Sequence, residues 1–81
     1  MRLFLVEREY AEQLVLDDET NARSVEYELR HEMRWITSFL SADKKKAYCL
    51  YEVHDAEVLR QHALDLGLPA DAIVEVSEIT R

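Results

Sequence analysis

The chain has 81 residues, enough for one small domain and too few for two separate hydrophobic cores. Hydrophobic residues make up 48% of the chain, with one glycine and one proline, and this composition excludes a disordered or linker-like polypeptide. With 10 basic and 17 acidic residues the formal net charge is -7, so we expect neither nucleic acid nor an anionic membrane as a partner.

The single cysteine, Cys49, has no second cysteine with which to form a disulfide, so we expect the protein to reside in a reducing cytoplasm. The opening residues MRLFLVERE hold one short apolar run followed at once by acids, which is not the pattern of a signal peptide. No apolar run reaches the length that crosses a bilayer, and we expect a soluble protein.

The first half of the chain predicts a strand followed by a helix. RLFLVE is a short apolar run of strand-forming residues, and REYAEQLVL after it has no clear period and is interpreted as a connection. Helical spacing then recurs at Ala22, Val25, Leu29 and Met33, with acids at the start of the segment and basic residues near its end. We therefore predict an amphipathic helix that buries this stripe.

The second half predicts a hairpin, a helix and a final strand. RWITSFLS and KAYCLYEV are rich in aromatic and β-branched residues and are separated by the polar turn ADKK. Asp55 is a suitable N-cap for the helix AEVLRQHALDL, and Gly67 and Pro69 provide its stop. AIVEVSEI is a last β-branched run that we expect to pair in the sheet.

This order of elements is that of the ferredoxin-like α+β fold, βαββαβ, and we assign residues 1–81 to one such domain with an antiparallel sheet and both helices on one face. Apolar residues occupy consecutive positions, as from Leu3 to Val6, so both faces of the sheet are predicted to be apolar. A second copy is the simplest cover for the helix-free face. We therefore predict a homodimeric α/β sandwich or barrel, with room for a small-molecule ligand between the sheets.

Five segments of the chain carry a resemblance to a known family. They are FLVERE, RWITSF, DKKKAYCLYE, LRQHA and GLPADAI. Together they resemble a family of small bacterial ferredoxin-like proteins described as nickel-binding or nickel-responsive, otherwise a domain of unknown function. The resemblance implies a ferredoxin-like dimer and a divalent transition metal, with nickel first. In the members that look most clearly metal-binding, a histidine also stands on the second strand, where this chain has Thr37 and Ser38.

Cys49 and His62 are the candidate metal ligands, one on the predicted third strand and one on the predicted second helix. A thiolate together with an imidazole suits nickel, copper or zinc. Each residue also has a structural interpretation, Cys49 as a small buried hydrophobic residue and His62 as a hydrogen-bonded core histidine. Because two donors are too few for a tight site, the metal requires further ligands from Glu7, Glu52, a tyrosine, water or a partner subunit.

A second group of candidates alternates along the predicted hairpin and the first strand, where side chains either line a ligand pocket or pack across strands. These residues are Glu7, Trp35, Ser38, Tyr48, Tyr51 and Glu52. In one alternative the protein is a small-molecule enzyme or ligand-binding subunit with Glu7 or His62 as acid or base. No second catalytic group is fixed by the sequence, so binding is favoured over catalysis. In another alternative it is a purely structural interaction module.

Overall fold

The computed structural model of the protein describes residues 1–10 and 18–80, apart from the side chain of Thr20. The described residues form β1 (Arg2–Glu9), α1 (Asp18–Arg30), β2 (Arg34–Leu40), β3 (Lys46–Val53), α2 (Ala56–Leu66) and β4 (Ala72–Val76). This is the predicted order, and the limits of β3 and α2 are those expected from the sequence. Most of the connection predicted before α1 lies outside the described residues.

The strands form one antiparallel sheet in the order β2-β3-β1-β4. β1 lies inside the sheet, where Val6 faces Cys49 of β3 on one side and Ile73 of β4 on the other. β2 pairs with β3 across the hairpin, and the register shifts between Trp35 and Thr37. This open antiparallel sheet with two helices confirms the ferredoxin-like α+β fold.

Every second residue of the two central strands is buried beneath the helices, because successive side chains of a strand point to opposite faces. These residues are Phe4, Val6, Arg8, Ala47, Cys49, Tyr51 and Val53. Tyr27, Met33 and Leu59 pack against the apolar members of this set and complete the hydrophobic core. The helix-covered face is thus the one that holds the core, and Arg8 is a charged residue within it.

Local capping interactions define both ends of α2, as predicted. The Asp55 carboxylate accepts hydrogen bonds from the backbone N–H groups of Glu57, at 2.9 Å, and Val58. At the other end Gly67 has φ 66°, a left-handed conformation that glycine adopts without a steric penalty. The backbone N–H of Leu68 then donates to the Ala63 carbonyl at 2.9 Å, which ends the helix.

The buried side of α1 is not the stripe predicted from the sequence. Val25 is 49% exposed and Leu29 is 80% exposed, whereas Tyr27 is buried against the sheet. Burying the large Tyr27 ring removes more apolar surface from water than burying either aliphatic residue, and the half-buried Ser24 on the same side finds polar partners. Met33 of the predicted stripe is buried, but it lies beyond the end of the helix.

The opposite face of the sheet carries no helix from the described part of the chain and is largely apolar. At its centre Leu5 faces Leu50 of β3 and Val74 of β4. Val74 is 52% exposed, and Phe39 on the neighbouring β2 is 64% exposed. This open face agrees with the prediction that both sides of the sheet are apolar. Neither described helix has the length and apolar character needed to cross a membrane.

Candidate metal site

Cys49 and His62 lie on the same side of the sheet, beneath the helices. On β3 the alternation that buries Ala47 and Tyr51 also directs Cys49 to the covered face. On α2 His62 follows Leu59 by three residues, and this spacing directs both side chains to the sheet. Cys49 is a free thiol, and His62 is fully buried. The two sequence-predicted donors therefore belong to one buried region.

A chain of hydrogen bonds from α1 fixes which nitrogen of His62 carries the proton. The Ser24 hydroxyl donates to a carboxylate oxygen of Glu28, because an ionised carboxylate can only accept. The Ser24 oxygen, 3.1 Å from Nε2 of His62, is then left to accept the Nε2–H. This assignment leaves Nδ1 with its lone pair. Nδ1 is also the buried side-chain polar atom that has no hydrogen-bond partner in the described part of the chain.

His62 is held in its neutral form by its surroundings. Burial lowers the pKa of the imidazole to about 4, and the positive charge of Arg8 acts in the same direction. The carboxylate of Asp65 opposes this shift only in part. At neutral pH the ring is therefore uncharged, which is the state in which a histidine nitrogen can bind a metal.

Arg8 is a member of this buried region that sequence reasoning missed. Its guanidinium donates to the Pro69 carbonyl and, at 3.4 Å, to the Tyr51 hydroxyl. Burial disfavours its charged form, but interactions with Tyr51 and Cys49 outweigh burial and keep the pKa of Arg8 above its ordinary value. A signal was present in the sequence, because Arg8 lies two residues after Val6 and so shares its face of the strand.

Two tyrosine rings enclose the imidazole of His62. The Tyr27 ring lies 5.2 Å and the Tyr51 ring 5.8 Å from it, measured between ring centroids. Burial raises the pKa of Tyr51 to about 12, despite the opposing charge of Arg8, so its phenol is protonated at neutral pH. We call Arg8, Cys49, Tyr51 and His62 the buried polar cluster.

The remaining candidates divide between the two faces of the sheet. Ser38 lies directly opposite Cys49 on β2, so their side chains share a face, and Trp35 lies opposite Tyr51. The indole N–H of Trp35 donates to the Ser38 hydroxyl at 2.8 Å. Trp35 is 51% exposed and Ser38 is also exposed, so they form the rim beside the cluster on the β2 side.

Glu7, Tyr48 and Glu52 lie on the open face. Glu7 and Tyr48 are register partners, and Glu52 faces Leu3. The Glu7 carboxylate forms an ion pair with Lys46 at 2.9 Å. Because the sheet separates these residues from Cys49 and His62, they cannot join the buried polar cluster within one chain. Of the two tyrosines in the hairpin, Tyr51 belongs to the buried polar cluster and Tyr48 does not.

The donor set fits a borderline metal such as nickel in kind, since it combines a thiol with an imidazole that has a bare nitrogen. The number of donors is too small, because a tight metal site usually has four ligands and this one has two. Within residues 1–10 and 18–80 no group of three or more histidine, cysteine, aspartate or glutamate side chains is placed to hold one metal ion. Any metal at Cys49 and His62 therefore needs ligands of another origin.

Comparisons with known proteins bear on this incomplete site. Residues 4–76 match the family model described as "Nickel responsive protein SCO4226-like". This chain is also similar to the crystal structure of SCO4226 from Streptomyces coelicolor A3(2), with a TM-score of 0.79 and 19% sequence identity. The aligned region covers 96% of this chain and 99% of the SCO4226 chain. At this identity the likeness shows a shared fold. No curated protein matches the chain.

Proposed function

The chain belongs to the SCO4226-like family of nickel responsive proteins, and from this membership we propose that it binds nickel, or another divalent transition metal, as a cytoplasmic homodimer. The observation that carries the proposal is the bare Nδ1 of His62, which is buried in the same region as the free thiol of Cys49. A buried nitrogen without a partner is unfavourable unless a ligand uses it.

His62 has the supporting interactions that metal-binding histidines commonly have. Such a histidine usually donates its second ring N–H to an acceptor that fixes the tautomer and the ring orientation. Here Nε2–H donates to Ser24, which in turn donates to Glu28. The neutral state of His62 adds to this preparation, because no proton has to leave Nδ1 before a metal binds.

Cys49 supplies the second donor in this proposal. A cysteine binds metal as a thiolate, and thiolate together with imidazole favours nickel, copper and zinc over magnesium or calcium. Arg8 interacts with Cys49, so a thiolate formed on metal binding lies beside a compensating positive charge. The sheet keeps Glu7 and Glu52 away, and the remaining ligands come from water, small molecules or a partner subunit.

The homodimer is proposed from the open face. Leu5, Leu50 and Val74 form a continuous apolar row across three strands, and Phe39 extends the apolar surface on β2. A monomeric protein rarely leaves such a contiguous patch in water. A two-fold dimer covers the face with an identical copy of itself. The cytoplasmic location rests on the free thiol, which persists most readily in a reducing compartment.

Calorimetric titration with nickel, zinc and copper salts, combined with elemental analysis of the dialysed protein, tests metal binding. We expect the wild-type protein to bind nickel, and Cys49→Ser and His62→Gln each to weaken binding by at least about tenfold. His54→Gln is the matched control, since His54 is exposed and pairs with Glu32 at 3.4 Å. Failure of the wild-type protein to bind any of the three metals would overturn the proposal.

A further inference from the structure

Arg8 presents an electrostatic problem that the nickel proposal does not solve. The side chain is 2% exposed, yet Arg8 is in none of the ion pairs formed among the described residues. Its described partners are the Pro69 carbonyl, the Tyr51 hydroxyl and the Cys49 thiol, none of which carries a fixed negative charge. Buried charges in proteins are nearly always paired or bound to a ligand, because desolvating an isolated charge is costly.

Two described carboxylates whose charge acts on members of the cluster, those of Glu28 and Asp65, are engaged elsewhere. Glu28 accepts from the Ser24 hydroxyl and from the backbone N–H of Trp35. Asp65 accepts from the side-chain amide of Gln61 at 2.8 Å. Both are close enough for their charge to reach the buried polar cluster, but neither forms an ion pair with Arg8. Within the part of the chain that the structure describes, no carboxylate is therefore paired with the guanidinium of the cluster.

Binding of nickel makes the imbalance greater. A divalent cation, a thiolate and a guanidinium together leave a net charge of about +2 in a region shielded from water. The same metal lacks ligands, since Cys49 and His62 provide two donors. One planar oxyanion reduces both deficits, because an arginine fork binds such a group through N–H···O bonds while an oxygen lone pair of the same group can face the metal.

We propose that Arg8 holds a small planar oxyanion, carbonate or a simple carboxylate, which completes the site formed by Cys49 and His62. This inference rests on the proposed metal function. The anion and the metal are then bound cooperatively, since each one lowers the electrostatic penalty of the other. Each must raise the affinity for the other by the same factor, because the coupling free energy is reciprocal.

A groove between the two helices adjoins the surroundings of His62. It has a volume of about 250 Å³ and is lined by Arg23, Glu26, Tyr27, Arg30, His31, Asp65 and Leu66. Tyr27 belongs both to this groove and to the aromatic surroundings of His62. The charges of the groove balance, because Arg23 and Arg30 line it together with Glu26 and Asp65. The groove itself therefore does not favour an anion, and the positive charge of the site is that of Arg8.

Nickel titrations in carbonate-free chloride buffer, with and without added bicarbonate or acetate, test the inference. We expect either anion to tighten nickel binding by about tenfold or more, and sulfate, which is not planar, to have little effect. A change of the nickel absorption spectrum on addition of the anion provides a second readout. The two arms also show whether carbonate or a carboxylate is preferred.

Substitutions of Arg8 separate this inference from the metal proposal. Arg8→Gln is expected to abolish the effect of the anion, and Arg8→Lys, which keeps the charge but loses the planar fork, to reduce it severalfold. Arg2→Gln is the matched control, because Arg2 is an exposed arginine of β1 paired with Glu75. If nickel binds wild-type protein equally with and without the anions, this inference is wrong and the metal proposal stands. If nickel does not bind in any buffer, with or without the anions, both the metal proposal and this inference are wrong.

Discussion

Ser38 and Cys49 face each other across the β2–β3 ladder, so their side chains emerge on the same face of the sheet. Directly opposed residues of an antiparallel pair have Cβ atoms about 5 Å apart. A side chain introduced at position 38 is therefore within reach of a metal held by Cys49. Ser38 is exposed, and its hydroxyl accepts a hydrogen bond from the indole N–H of Trp35.

Ser38→His should convert the two-donor site into a three-donor site. We expect nickel affinity to rise by about tenfold or more, because the sheet holds a third protein ligand beside the two donors of the site. Phe39→His is the matched control. Phe39 is adjacent to Ser38 in the sequence but is paired with Tyr48, so its side chain lies on the open face of the sheet. Calorimetric titration compares the two variants. Equal affinities would show that the metal does not lie beside Cys49.

Ser24→Ala removes the group that fixes the tautomer of His62. The Nε2–H then loses its acceptor, and the proton can move to Nδ1. We expect nickel binding to weaken by about tenfold to a hundredfold, the usual effect of losing such a supporting interaction. Ser77→Ala, at an exposed position after β4, is the control for a loss of hydroxyl elsewhere. Unchanged affinity in Ser24→Ala would mean that the Ser24 contact serves packing only.

The folding stability should depend on pH through His62. Its pKa is lowered from 6.5 to about 4 in the folded protein, so between these values the unfolded chain binds a proton that the folded chain does not. The free energy of unfolding therefore falls as the pH decreases from 6.5 toward 4, by roughly 3 kcal/mol from this group, and this contribution is constant above and below that range.

Denaturant unfolding of wild-type protein and His62→Gln at several pH values measures this contribution. Other groups, such as Glu75 with its lowered pKa, also lose stability in acid, but they do so in both proteins. We therefore expect the stability difference between the two proteins to shrink as the pH falls from 6.5 to 4. The ring resonances of His62 should also stay constant from neutral pH down to pH 5. A difference that is independent of pH would contradict the burial argument.

The fold was predictable where local signals agreed with one another. The limits of α2 follow from Asp55 and Gly67, which act within a few residues of the helix ends. The face of α1 was not predictable in this way. Val25 and Leu29 have the correct spacing, yet Tyr27 is the residue buried, because the choice depends on how much surface the sheet can cover.

The candidate site was predictable only in its donors. Cys49 and His62 are recognisable by residue type, but the apolar residues on both faces of the sheet leave the orientation of Cys49 open in the sequence. Arg8 was missed because a charged residue is normally exposed. The contact between Ser24 and His62 joins residues 38 positions apart, and nothing short of the tertiary structure predicts it.

Gly67→Ala tests the stop signal of α2. Gly67 has φ 66°, and a side chain at this position meets no atom within 4 Å, so the penalty comes from the backbone conformation alone. We expect a loss of about 1 kcal/mol in the free energy of unfolding. Gly67→Asn should lose less, because asparagine tolerates the left-handed conformation better than alanine does. Thermal and denaturant unfolding measure both values, and equal losses would point to a cause other than the backbone.

Leu5→Glu tests the proposed dimer at the centre of the open face. Leu5 lies between Leu50 and Val74, so a two-fold interface that buries this row brings two introduced carboxylates into a dry region. We expect wild-type protein to have the mass of a dimer by light scattering at micromolar concentration, and Leu5→Glu to have that of a monomer. Leu64→Glu, on a residue of α2 that is 76% exposed, adds the same charge to the other side of the molecule and should remain dimeric. Circular dichroism shows whether both variants keep the fold. A monomeric wild-type mass, or a folded Leu5→Glu variant that stays dimeric, would exclude an interface through this face.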